Sequence, residues 1–142
     1  MELADILAVP AVLFCTDITV KHQLFETLAA HAAALTGRTQ TEILEAVAGR
    51  EALGSTGLGN GIAIPHGKLG GLGGVTALFA RLEHPIDFDA VDDHPVDLVV
   101  MLLAPTGAGA DHLKALSRVA RLLRTESVVE ALRQTDDLVR LH

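Results

Sequence analysis

The run Gly54-Ser55-Thr56-Gly57-Leu58-Gly59-Asn60-Gly61-Ile62-Ala63-Ile64-Pro65-His66-Gly67 holds the residues whose types and spacing best suit chemistry. A neutral imidazole such as that of His66 is a good nucleophile near pH 7. Pro65 fixes its own φ and keeps Ile64 extended, so His66 is expected at a stiff strand end. The first half of the run has little side-chain bulk. Glycine tolerates positive φ, so this loop is expected to turn backbone N–H groups toward an anion. Ser55, Thr56 and Asn60 would add short donors, and Gly67 would let a partner's atoms come close. Phosphoryl transfer needs in-line positioning and donors around three oxygens more than covalent help. The combination points to a phosphoryl acceptor. The competing reading is a histidine satisfied at a strand end, with Ser55, Thr56 and Asn60 serving only as turn residues.

Familiar phosphate motifs do not fit. A P-loop needs Ser or Thr after Gly-Lys, but Gly67-Lys68 is followed by Leu69 and Ile62 stands where the first glycine belongs. The dinucleotide fingerprint from Gly57 and Gly59 meets Ile62 at its third glycine, and Gly-x-Ser-x-Gly is absent. The histidines lack ligand spacing, so no metal site is expected, and no cofactor. His31 lies near an apolar helical stripe and reads as partly buried; His22, His84, His94 and His142 read as loop or end residues. Asp87, Asp89, Asp92 and Asp93 miss the EF-hand spacing and read as a solvated turn. Lys114, Arg118 and Arg121 read as a solvated helix face.

Composition narrows the classes. The chain has 142 residues, is 49% hydrophobic and carries a net charge of −7. Its mean hydropathy is +0.38. That suits one compact domain with an aliphatic core. Four phenylalanines and no Trp or Tyr make an aromatic stacking platform improbable, and the acidic balance speaks against nucleic acid. The lone Cys15 excludes an internal disulfide; set in Val12-Leu13-Phe14, it reads as a core thiol. Glu2 and Asp5 are the wrong charge for a signal peptide, and the apolar stretches fall short of the roughly 20 residues that span a bilayer. No membrane insertion is expected, and the location is read as cytoplasmic.

The positioning elements can be read from periodicity. Val12 to Ile18 is expected as a strand, and 21–36 as a helix with Leu24, Phe25, Leu28, Ala32 and Leu35 on its apolar stripe, ended by Gly37. Thr39-Gln40-Thr41-Glu42 has the form of a capping box opening a second helix with Ile43, Leu44 and Val47 inward. Val75 to Leu82 alternates like a strand, and Val96 to Ala104 reads as a central one. Residues 111–124 read as a third long helix with Leu113, Leu116, Ala120 and Leu123 inward. Two short C-terminal helices are expected to follow, the last capped by Thr135. This order suggests a mixed sheet with helices on both faces.

The stretch Leu53 to Lys68 resembles the active-site signature of the fructose/mannitol type of enzyme IIA of the phosphotransferase system. Arg50-Glu51, the run Pro85 to Asp92 and Pro95-Val96-Asp97-Leu98 are similar to its nitrogen-regulatory branch. The resemblance covers nearly the whole chain and implies one type-2 enzyme IIA domain over 1–142. The implied fold is an α/β/α three-layer sandwich with a central mixed β-sheet. It further implies a phosphotransferase with a phosphohistidine intermediate on His66 Nε2. The donor would be an HPr-like carrier, charged from phosphoenolpyruvate through enzyme I. Arg50 matches an arginine that the family places near the phosphoryl, and its planar fork suits phosphoryl oxygens. An ion pair with Glu51 or Glu45 is its competing role. His112 matches a second active-site histidine, and its place in a helix's first turn favours an anion. Gly70, Gly71, Gly73 and Gly74 leave the loop after the site unusually bare.

Three outputs compete. The nitrogen branch implies regulatory target proteins, including those of potassium transport. A sugar-specific enzyme IIA would hand the phosphoryl to a fructose- or mannitol-type IIB domain. A module that keeps the fold but takes no phosphoryl belongs to another class, and the intact His66 motif argues against it.

Overall fold

The computed structural model describes residues 7–72, 74–88, 94–107, 110–125 and 129–130. The short helices expected beyond residue 124, with the Thr135 cap, lie almost wholly outside this set. Among the described residues the order is β1 (Leu7–Cys15), α1 (Lys21–Thr36), α2 (Gln40–Glu51), β2 (Gly57–Gly59), β3 (Ile62–Ala63), β4 (His66–Leu69), β5 (Thr76–Ile86), β6 (Val96–Pro105) and α3 (Ala110–Arg124).

The sheet runs β1-β5-β6-β3-β2, and β4 also pairs with β6. It is mixed: β1 is parallel to β5, β5 antiparallel to β6, and β3 and β4 are both parallel to β6. Pro10 sits in the edge strand β1, where its missing N–H is tolerated, and the register shifts between Leu7 and Val12. The first strand ends at Cys15, earlier than the expected Ile18. Ile18 is buried all the same, leading into α1.

Helix starts and stops follow local chemistry. The Gln23 side-chain oxygen accepts from the Thr19 and Val20 N–H groups at 2.9 and 3.3 Å, which closes the start of α1. Gly37, at φ 75°, ends that helix in the left-handed region. The Thr39 hydroxyl accepts from Glu42 N at 3.1 Å and opens α2 as the sequence suggests. Leu24, Phe25, Leu28 and Ala32 are buried, but Leu35 is 37% exposed. It lies in the last turn of α1, past the part of the stripe that meets the core. His31 is also exposed, against expectation, because the buried stripe runs through Leu28, Ala29 and Ala32 beside it.

Strand β5 does not alternate as expected: Ala77 to Leu82 are all buried. The reason is that both sheet faces are covered, which turns strands into continuous apolar runs. Neighbouring strand residues point to opposite faces. A Cβ on Gly67 would lie 3.1 Å from backbone and side-chain carbons of Ala46 in α2. His66, one residue earlier, shares a cleft with Leu116 and Ala120 of α3. Helices α2 and α3 thus lie on opposite faces, which makes the α/β/α layering.

Candidate functional site

Strands β3 and β4 are two pieces of one strand. Ile62 and Ala63 pair with Leu98 and Val99, and His66 to Leu69 pair with Leu102 to Pro105 in the same unbroken register. The interruption falls at Ile64-Pro65, where Pro65 has no N–H to give. Its carbonyl still accepts from Leu102 N at 3.0 Å. On the other side, Ile64 N donates to the Thr56 carbonyl at 3.0 Å. The Ile64 carbonyl then meets His66 Nδ1 at 2.9 Å. A carbonyl can only accept, so Nδ1 must carry the hydrogen. The neutral ring then holds its lone pair on Nε2. His66 is half-buried and lines an open cleft of about 220 Å3 with Arg50, Ser55, Thr56, Leu58, Leu116 and Ala120.

The glycine-rich run is more regular than the open loop expected from its composition. Residues 57–63 form a β-hairpin, with Gly57 opposite Ala63 and Gly59 opposite Ile62. Asn60 at φ 57° and Gly61 at φ 82° make its turn. Asn-Gly between short apolar strands is a strong hairpin signal, and it could have been read from the sequence. Two backbone donors near the cleft are used inside the protein. Thr56 N donates to both Glu51 carboxylate oxygens at 3.1 Å, and Gly57 N donates to Ser55 Oγ at 3.1 Å.

The expected site residues separate accordingly. Arg50, Ser55 and His66 line one cleft. Arg50 Nη1 donates to the Gly54 carbonyl at 2.9 Å, while Glu51 pairs with Lys21 at 2.6 Å. The competing ion pair of Arg50 with Glu51 or Glu45 is not formed among the described residues; a backbone contact stands instead, and one of five guanidinium N–H donors is spent on it. Ser55 gives its hydroxyl hydrogen to the Phe88 carbonyl at 3.1 Å, so that hydrogen anchors the hairpin root. Asn60 lines a neighbouring cavity with Leu123, Arg124 and Val129 rather than the His66 cleft. His112 is the third residue of α3, the helix that walls the cleft, but its side chain is outside the described residues.

Two features escaped the sequence. Gly67 does not open space for a partner; the backbone of α2 occupies that space. Leu116 and Ala120, expected in the core, are half-buried because they line the cleft, while Val119 and Leu123 take the core positions. No helix among the described residues is long and apolar enough to cross a membrane.

Known proteins share this sequence family and fold. The family model for the phosphoenolpyruvate-dependent sugar phosphotransferase system, EIIA 2, matches residues 5–141. A nitrogen regulatory protein of Bradyrhizobium diazoefficiens is 50% identical over 137 residues, covering 96% of this chain and 90% of that one. A fructose-specific EIIA component from Haloferax volcanii is 44% identical over 93 residues, 66% of this chain and 60% of that one. The crystal structure of nitrogen regulatory protein IIA-Ntr from Neisseria meningitidis superposes with a TM-score of 0.90 at 34% identity, covering 97% and 94% of the two chains.

Proposed function

Because the chain belongs to the EIIA 2 family of the phosphoenolpyruvate-dependent sugar phosphotransferase system, we propose that it is a phosphocarrier whose His66 accepts a phosphoryl group on Nε2 from an HPr-like carrier. The observation that carries this reading is the 2.9 Å bond from His66 Nδ1 to the Ile64 carbonyl. It selects the tautomer that puts the lone pair on Nε2. Attack by Nε2 on phosphorus forms the new N–P bond as the donor's N–P bond breaks, and the electron pair leaves with the donor imidazole. The acceptor ring becomes cationic in that step. The Nδ1–H bond to Ile64 strengthens with it, as hydrogen bonds to charged donors do. Arg50 supplies remaining N–H donors to the phosphoryl oxygens. Ser55 acts by holding the hairpin root. His112, at the start of α3, adds a donor in this reading, and Asn60 contributes through the turn geometry.

The output is regulatory. Apolar Leu58, Leu116 and Ala120 line the cleft that holds His66. A doubly charged group there would repel an acidic or apolar partner surface that the bare cleft accepts. The identity to a nitrogen regulatory protein over almost the whole chain supports this output. The identity to a fructose-specific component favours the second reading, delivery to a IIB domain. Incubation with phosphoenolpyruvate, enzyme I and the HPr-like carrier tests both. Wild type should gain one acid-labile phosphoryl and His66→Ala none. Label surviving in His66→Ala would refute the site. Onward transfer to a purified fructose-type IIB domain, with sugar phosphorylation, would establish the second output.

A further inference from the structure

Glu51 has no part in the chemistry above, yet it begins a line of contacts that ends on the acceptor ring. Its side chain is only 7% exposed and pairs with Lys21 Nζ at 2.6 Å. Both carboxylate oxygens take Thr56 N at 3.1 Å, and Oε2 also takes the Thr56 hydroxyl. The Thr56 carbonyl accepts from Ile64 N at 3.0 Å. The Ile64 carbonyl accepts from His66 Nδ1 at 2.9 Å. Lys21 is itself pinned, donating to the Phe88 carbonyl at 3.1 Å and lying 4.3 Å from the centre of the Phe88 ring.

We infer that Glu51 is a positioning residue for phosphoryl acceptance: clamped by Lys21, it fixes Thr56, and through Thr56 the Ile64 carbonyl that selects the His66 tautomer. This inference rests on the reading of His66 as the acceptor. The geometry explains why such a clamp is needed. Pro65 removes a ladder donor on the β6 side, and the bond to Thr56 ties Ile64 to the hairpin side. Thr56 lies just before β2, a strand of only three residues at the edge of the sheet. A shielded carboxylate that accepts two donors and an ammonium is a stiff anchor, because each lost partner leaves a buried polar group unsatisfied. A shift of the Ile64 carbonyl would leave Nδ1 without its selecting acceptor and let the ring sample both tautomers.

The test uses the full chain with 15N-labelled histidine. Ring nitrogen spectra of the unphosphorylated protein report the His66 tautomer, and transfer from the phosphorylated HPr-like carrier reports kcat and donor KM. Wild type should show the Nδ1–H form. Glu51→Leu should show mixed tautomers and a kcat lower by about tenfold, with donor KM within twofold of wild type, because the donor docks elsewhere. Glu51→Gln should recover most of both, since its amide oxygen still accepts from Thr56. If Glu51→Leu does not fold, Thr56→Val and Lys21→Met are read in the same two assays, with smaller shifts expected in the same direction. An unchanged tautomer and kcat in the folded variants would overturn the inference. If wild type takes no phosphoryl at all, the functional reading fails, while the ring spectra still decide whether Glu51 governs the tautomer.

Discussion

The two faces of the strand that carries His66 are built for opposite purposes. On the α2 side, Gly67 lies so close to Ala46 and Val47 that not even a methyl group fits without movement. Glu51, at the end of the same helix, ties down Thr56. On the α3 side, His66 opens into a cleft whose walls, Leu58, Leu116 and Ala120, are only partly covered. The packed face fixes where the ring sits; the open face leaves room for a second molecule. A histidine nucleophile needs both, because positioning and access cannot come from the same contacts.

Substitutions on the two faces should therefore fail differently. The largest effect is expected at Gly67→Ala. Alanine would normally help a strand, but here its Cβ would meet helix backbone at 3.1 Å. Backbone cannot rotate away, so we expect a loss of about 1–3 kcal/mol in denaturant unfolding, together with slower phosphoryl acceptance. An alanine variant of wild-type stability would mean that α2 does not clamp the strand. Leu58→Asp comes next and should show the reverse pattern. Leu58 is 38% exposed at the cleft, so stability should move by no more than about 0.5 kcal/mol. Donor KM should rise on the order of tenfold while kcat holds, as removal of docking contacts does. A fall in kcat at constant KM would erase the distinction between the faces.

The smallest effect is expected from Glu42→Gln, at the exposed start of α2. Its hydrogen bonds with Arg38, above all, and with Thr39 hold the Glu42 carboxyl below the ordinary value of 4.5. A folded-state pKa that is depressed gives stability above the unfolded value and loses it as pH falls through the folded one. Any advantage of wild type over Glu42→Gln should thus exist at neutral pH and vanish under acid conditions. Melting curves across that range would show it, and an advantage that grows on acidification would contradict the assignment.

What could be read from the sequence divides along the same line as the two faces. Helices α1 and α2 were legible because their stripes, the Gly37 stop and the Thr39 cap are local signals. The Val/Leu run of β6 announced a central strand. The place of His66 at a strand end was legible from Pro65 and the motif around it. The shape of Gly54 to Gly61 was misjudged, because many glycines suggest a loop while the Asn60-Gly61 pair specifies a hairpin. The neighbours of Gly67 were out of reach, since only tertiary packing brings α2 there. The Glu51–Lys21 clamp was equally hidden: it joins the start of α1 to the end of α2, and no spacing rule connects them. In the loop after β4, Gly71 stands at φ 83°, a left-handed conformation that favours glycine.

The account turns on the ring nitrogen that reacts. Heteronuclear NMR of the protein, phosphorylated through enzyme I and the HPr-like carrier with 15N-labelled histidine, identifies that nitrogen directly. The account predicts a single phosphohistidine, on His66, with the phosphoryl on Nε2 and a proton retained on Nδ1. A phosphoryl on Nδ1, or on any residue other than His66, would contradict it.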